Sequence, residues 1–159
     1  MTYEIPAKYI KTKADELSLR QGCYFDQQAA DRVIAFAEKY FNPQFIQGDF
    51  KLLEWQKDWL ANLYGWKLPD GRRRYRKALL TVAKKNGKSL LCAIVALYES
   101  LASGNKSPLV VSCSTTRSNA SQIFDEVKSS VKAIEKNKKK PIGKVVPSQK
   151  IIKIGRAHV

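Results

Sequence analysis

The chain has 159 residues, 44% of them hydrophobic, which is enough for one globular core but short for a complete nucleotide-driven machine. Lys and Arg number 29 against 14 Asp and Glu, and the formal charge of +15 favours a polyanionic partner such as nucleic acid or nucleotide. The longest apolar run, Leu90 to Leu97, falls far short of the ~20 residues that cross a bilayer, and the first residues lack the apolar segment of a secretory signal. Cys23, Cys92 and Cys113 are odd in number and show no C-x-x-C spacing, so neither a disulfide framework nor a zinc site is indicated, and a reducing cytosol fits.

Residues Met1 to Gln21 are polar and mixed, and read as an extended arm followed by a weak helix. Asp26 can cap a helix carrying Ala29, Ala30, Val33, Ile34, Phe36, Ala37 and Tyr40. That helix ends before Pro43, because a residue preceding proline avoids helical geometry. A third helix runs from about Leu52 to Tyr64, with Leu52, Trp55, Trp59, Leu60 and Leu63 on one side and Gly65 as its stop. Its tryptophans, at helical spacing, are expected to pack inward.

Leu68-Pro69-Asp70-Gly71 has turn chemistry and leads through Arg72-Arg73-Arg74 into an apolar run, Ala78 to Ala83, that suits a buried parallel strand. The turn is expected to present its arginines beside the loop Lys84 to Ser89, which succeeds that run. Arg72 to Arg74, and the lysine run Lys136 to Lys140, fit exposed loops as well as they fit DNA contact.

After the strand comes Lys84-Lys85-Asn86-Gly87-Lys88-Ser89, a Gly-Lys-Ser turn that opens a helix. A helix start offers unpaired N–H groups and a partial positive charge. Gly87 lets the backbone come close, Lys88 can reach the outer phosphates of a nucleotide, and Ser89 can hold Mg²⁺. The strict pattern G-x-x-x-x-G-K-[ST] asks for glycine where this chain has Val82, so the triplet alone is weak and also fits a polar turn. Context strengthens it. Leu90, Leu91, Ile94, Val95, Leu97, Tyr98 and Leu101 recur at helical spacing, Gly104 stands where a glycine cap belongs, and a second apolar run, Leu109 to Cys113, comes next. Strand, loop, helix and strand in this order form the βαβ unit in which phosphate loops occur. Ser118 can then cap a helix with Ala120, Ile123, Phe124, Val127, Val131 and Ile134 as its stripe, ended by lysines and Pro141. Val145-Val146 and Ile151-Ile152 are expected as short paired strands.

Four features together resemble the N-terminal ATPase part of a tailed-bacteriophage terminase large subunit, the DNA-packaging motor. They are Leu52-Leu53-Glu54-Trp55-Gln56, Pro69-Asp70-Gly71-Arg72-Arg73, Ala83 to Ser89, and Ser112 to Gln122, and they span roughly Phe50 to Val131. Terminases of this family tolerate loss of the first glycine. The resemblance implies ATP and Mg²⁺ as cofactors, with Gln56 on the adenine and the loop Lys84, Lys85, Asn86, Gly87, Lys88 and Ser89 on the phosphates. Lys88 and Lys84 are the implied catalytic residues. Lys84 matches a family arginine proposed to touch the γ-phosphate, and lysine keeps that charge without the planar fork. Gln56 has suitable chemistry, since its amide offers one acceptor and one donor to adenine, although on residues alone it reads as a polar position on an amphipathic helix. Thr115, Thr116 and Arg117, past the second strand, suit either coupling of nucleotide state to DNA or capping of the next helix.

The fold implied is α/β: a P-loop NTPase-type parallel sheet flanked by helices, incomplete, with an N-terminal helical segment. Residues 1–48 form the arm and first helix, and 49–153 a partial P-loop ATPase domain. The resemblance further implies double-stranded viral DNA, a portal protein, a small terminase subunit and a homo-oligomeric ring as partners, with no membrane, in the host bacterial cytoplasm during virion assembly. The complete protein would also be an endonuclease. No apolar run ends in the Asp-Glu that this plan of ATP hydrolysis needs, and Asp125-Glu126 falls inside a predicted helix. No acidic nuclease site is present either. Ile154-Gly155-Arg156-Ala157-His158-Val159 can be written ATC GGA AGA GCA CAC GTC, which matches a widely used sequencing adapter read in frame. The expectation is a truncated chain with a non-native tail over 154–159, in which His158 has no biological role. Two other functions remain open on the residues: another P-loop helicase or translocase, and a non-enzymatic basic DNA-binding module.

Overall fold

The structure is a computed structural model that describes residues 5–46, 48–138 and 141–154. Its elements are α1 (Lys13–Arg20), β1 (Tyr24–Phe25), α2 (Gln27–Tyr40), α3 (Glu54–Gly65), β2 (Trp66–Lys67), α4 (Lys88–Leu101), α5 (Arg117–Lys138), β3 (Gly143–Val146) and β4 (Ile151–Ile154), with short 3₁₀ turns at Ala7–Tyr9 and Pro147–Gln149. Packing divides the chain into two units. The first takes the residues up to Ala35 together with Leu52–Leu80, and the second takes Phe36–Lys51 and the residues from Thr81.

In the first unit, helix formation begins with caps. The Thr12 hydroxyl accepts the Asp15 N–H at 3.3 Å while the Asp15 carboxylate accepts the Thr12 N–H at 3.0 Å, a reciprocal box that starts α1 in the segment expected to be a weak helix. Asp26 caps α2 as expected, its carboxylate accepting the Ala29 N–H at 3.0 Å. β1 and β2 pair antiparallel, Phe25 opposite Trp66, and carry their rings into a core with Tyr9, Ala30 and Ala61. Tyr9 stacks on Phe25 at 4.2 Å, and Trp66 meets the same ring edge-on at 5.9 Å. Each such fully buried large side chain contributes ~1.5–3 kcal/mol.

Gly65 does not stop α3 by a left-handed turn. It is the last helical residue and lies outside the glycines with positive φ. It is small for another reason: a Cβ there would lie 2.5 Å from the Phe25 ring. Trp55 and Trp59 also depart from expectation, being half-buried rather than in the core. With Asp15, Asp58, Asn62 and Arg74 they line a concave surface of about 580 Å³.

The turn at Leu68–Gly71 forms as expected. The Gly71 N–H donates to the Leu68 carbonyl at 2.9 Å, Gly71 takes φ 81°, and Asp70 accepts the Arg72 N–H at 3.0 Å.

In the second unit, α4 packs against α5. Leu91, Ile94, Leu97 and Tyr98 on α4 and Val127, Val131 and Ile134 on α5 are buried, so both predicted stripes face inward. Past α4, Gly104 takes φ 82°, and the Ala102 and Ser103 N–H groups close on the Tyr98 carbonyl at 2.8 and 3.0 Å, so a glycine does come after the helix end. The segment after α2 runs along α5: the Asn42 N–H donates to Ser130 Oγ at 2.9 Å and the Gln44 N–H to Glu126 Oε2 at 3.1 Å. β3 and β4 pair antiparallel with Val145 opposite Ile152 and Val146 opposite Ile151, the hairpin expected from sequence. Residues 155–159, and with them His158 and most of the expected tail, lie outside the described residues, as do Lys139 and Lys140 of the lysine run.

One expected feature is absent among the described residues. Ala78–Ala83 and Leu109–Cys113 take no regular secondary structure and carry no ladder, and the strand pairs that do form are antiparallel. An extended segment becomes a strand only when a neighbour takes its N–H and C=O groups. Neither segment has such a neighbour here, and Leu79 and Leu109 are 90% and 89% exposed. The architecture is therefore mixed helix and strand, and it agrees with an incomplete α/β domain.

Candidate functional site

The loop Lys84–Ser89 lies in the second unit and is held from behind by the buried face of α4. Gly87, at φ 74° and ψ 21°, is the N-cap of α4, and no side chain caps it. The Leu91 N–H closes the first helical turn on the Gly87 carbonyl at 2.9 Å. The N–H groups of Lys88, Ser89 and Leu90 precede that bond and have no acceptor within the helix. The first turn holds no acidic residue, so no side chain of that turn offsets the positive end of the helix dipole.

Upstream, Lys85 is also left-handed, at φ 67°, whereas Asn86 between it and Gly87 is not. Lys84 and Lys85 form a hydrogen-bonded turn, and turns of this kind can present backbone N–H groups to an anion. Lys84, Lys85, Asn86, Lys88 and Ser89 are all exposed. Lys88 is therefore open to solvent and not sunk in the core. A hydroxyl, three ammonium groups and open amides on one turn suit a triphosphate with its divalent metal.

Gln56 lies in the first unit, on α3. It is buried, and its Oε1 accepts the Leu53 N–H at 3.0 Å. It thus sits three residues into the helix and reaches back to the N-cap amide, as glutamine does in a capping box. Sequence reading offered adenine contact or a surface position, and missed this capping role. Glutamine three residues into a helix was the available signal.

Thr116, and not Ser118, caps α5: its Oγ1 accepts the Asn119 N–H at 3.2 Å, so the helix begins at Arg117. Arg117 Nη2 donates to the Ser148 carbonyl at 3.5 Å, and Thr115 is exposed. Of the two roles weighed for this loop, capping is the one with a visible bond. Asp125 and Glu126 lie within α5, as expected. Asp125 accepts from Lys128 at 3.0 Å and Lys150 at 3.4 Å, while Glu126 holds Gln44.

The arginine run divides by environment. Arg72 pairs with Asp70 at the surface, and Arg73 lies over the Tyr64 ring at 5.1 Å. Arg74 is half-buried: it donates to Asp15 Oδ1 at 2.7 Å and stacks on Trp66 at 4.7 Å. Burial works against the charged Asp15, but hydrogen bonds from Arg74, the Thr12 hydroxyl and the Lys11 amide outweigh it and hold the carboxyl below its ordinary value. Arg74 is thus engaged in an ion pair within the first unit and is not a freely exposed loop residue. The pattern Thr12-x-x-Asp15 was the sequence signal for its partner.

A family model described as terminase large subunit, ATPase domain, matches residues 54–156. The matched span takes in Gln56, the loop Lys84–Ser89 and the Thr116 cap. No curated protein matches the chain. No solved structure matches it either.

Proposed function

The chain belongs to the terminase large subunit ATPase domain family, and from that premise we propose that it is the ATP-binding part of a viral DNA-packaging motor, which moves double-stranded DNA into a procapsid using ATP hydrolysis. The observation that carries the proposal is the exposed left-handed turn at Lys85 and Gly87 opening directly into α4, inside the matched span. In this assignment the amides from Lys85 to Ser89 cradle the phosphates, Lys88 neutralises the β and γ groups, and Lys84 approaches the γ-phosphate as a point charge. Ser89 Oγ would hold Mg²⁺, and bound Mg²⁺ supplies charge neutralisation to the triphosphate. Gln56 would read adenine through its amide NH₂, since its carbonyl is engaged with Leu53.

The acid that orients the attacking water is not supplied by Asp125-Glu126, which serve α5 and its contacts. We therefore expect this chain to bind nucleotide weakly and to turn it over negligibly; robust ATPase activity would contradict the assignment. The packaging role places it in the bacterial host cytoplasm, in a homo-oligomeric ring with a portal protein and a small terminase subunit. No described helix is long and apolar enough to cross a membrane.

Titration of a fluorescent ATP analogue tests the site. Lys88→Ala removes a hydrogen bond to a charged group and should weaken binding roughly 10- to 100-fold. Unchanged nucleotide affinity, with salt-dependent DNA binding retained, would instead favour a basic DNA-binding module. Gln56→Glu keeps an acceptor for the Leu53 N–H and removes the donor, so it should erase a preference for ATP over GTP while α3 stays folded.

A further inference from the structure

Like charges placed directly opposite each other on neighbouring strands destabilise a sheet. The first unit nevertheless sets Lys67 of β2 opposite Arg73 in an antiparallel bridge. That bridge is bracketed by the Leu68 N–H donating to the Arg72 carbonyl at 2.8 Å and the Arg74 N–H donating to the Trp66 carbonyl at 3.0 Å. Hydrogen bonds on both sides of a pair, and none within it, mark the kind of cross-strand pair whose side chains approach most closely. On its other edge Lys67 pairs with Tyr24. Tyr24, Lys67 and Arg73 therefore leave one face of the ribbon, while Phe25 and Trp66 turn to the core on the other.

Lys67 is half-buried, and no hydrogen bond or ion pair holds its ammonium group among the described residues. Burial, and repulsion from Arg73 and from Arg32 of α2, push this lysine below its ordinary value in spite of attraction from Asp26. Asp26 has its own task, since its Oδ1 accepts the Ala29 N–H at the start of α2. The Arg73 guanidinium is held over the buried Tyr64 ring at 5.1 Å, which fixes a planar donor group beside the ammonium.

We propose that Lys67, Arg73 and Arg32 form an oxyanion site of the first unit, with a phosphate group as its ligand. The guanidinium groups supply forked donors and the lysine a point charge, the combination that phosphate oxygens accept. An anion between them turns repulsion at the bridge into attraction from both sides, so the arrangement costs least when occupied. The site lies in a different unit from Lys84–Ser89 and does not depend on the nucleotide assignment. Two sources carry the same chemistry, the backbone of a nucleic acid and a free phosphate, and the test separates them.

The full chain is used, with circular dichroism confirming that each variant folds. Tryptophan fluorescence in urea follows the first unit in inorganic phosphate and in chloride at matched ionic strength, and a labelled duplex DNA is titrated at several salt concentrations. Phosphate stabilises proteins generally by exclusion from their surface, so the quantity read is the difference between variants. Phosphate should raise the midpoint of the unmodified chain by about 0.2–0.5 M urea more than that of Lys67→Gln, the shift given by a ligand at roughly one to five times its dissociation constant. Lys13→Gln removes the same charge from an exposed position of α1 and should keep the full shift. On DNA, Lys67→Gln should weaken binding roughly two- to fivefold more than Lys13→Gln and lower the salt slope by about one. A DNA loss beyond that of Lys13→Gln assigns the site to backbone phosphate; protection by phosphate without such a loss assigns it to a free phosphate. Absence of both differences would overturn the inference. Should Lys67→Gln fail to fold, Arg32→Gln, at an exposed position of α2, is read by the same two comparisons.

Discussion

Replacing Gly65 by alanine should destabilise the first unit, against the ordinary preference of helices for alanine. The added methyl would lie 2.5 Å from Phe25 Cζ and 2.6 Å from Cε2, where carbon atoms want about 3.5–4.0 Å. Something must move by roughly 1 Å. The ring cannot yield cheaply, because Phe25 is 3% exposed, stacked under Tyr9 and braced edge-on by Trp66. Nor is the backbone at Gly65 free, since its carbonyl accepts the Asp26 N–H at 2.7 Å. Overpacking of this kind costs about 1–3 kcal/mol. Helix propensity returns at most ~1 kcal/mol and less at a helix end, which leaves a net loss of about 1–2 kcal/mol. All three tryptophans, Trp55, Trp59 and Trp66, lie in the first unit, so fluorescence in urea reports its unfolding. With a slope of roughly 2 kcal/mol per molar urea, the midpoint should fall by about 0.5–1 M. Phe25→Leu in the same chain should recover part of that loss, a coupling that independent sites would not show. Equal or greater stability of Gly65→Ala alone would refute the packing argument and restore the simpler view of Gly65 as a helix stop.

Asp15→Asn leaves the half-buried Arg74 guanidinium without its counter-charge and should cost about 1–3 kcal/mol, measured by the same urea titration. Because the Asp15 carboxyl titrates lower in the folded chain than in the unfolded one, its contribution is fully present above about pH 4 and is lost as pH falls below that through the folded value. Stability of the Asn variant should accordingly decline less steeply below pH 4; an identical acid slope would show that Asp15 is not the titrating group. Thr116→Ala should destabilise the second unit by about 1 kcal/mol through loss of the α5 cap, whereas Ser118→Ala should be nearly neutral. Thermal unfolding followed by circular dichroism distinguishes the two, and the reverse order would return the cap to Ser118.

What the amino-acid order determined by itself was local. The Asp26 cap, the Leu68–Gly71 turn, the inward stripes of α4 and α5, the β3–β4 pairing and the glycine-led start of α4 each depend on residues within a few positions of one another, where backbone preference and periodicity dominate. The turn before α4 was legible for the same reason: Gly87, Lys88 and Ser89 stand at a helix start that they themselves create. Tertiary packing decided the rest. Gly65 is small because Phe25, 40 positions earlier, fills the space above it, and Arg74 is structural because Asp15 waits 59 positions away. Ala78–Ala83 and Leu109–Cys113 have the composition of strands, yet a strand exists only when a separate segment accepts its hydrogen bonds. Capping, turn chemistry and period are carried by the chain's own neighbours; burial, pairing and strand order are properties of residues that only folding brings together.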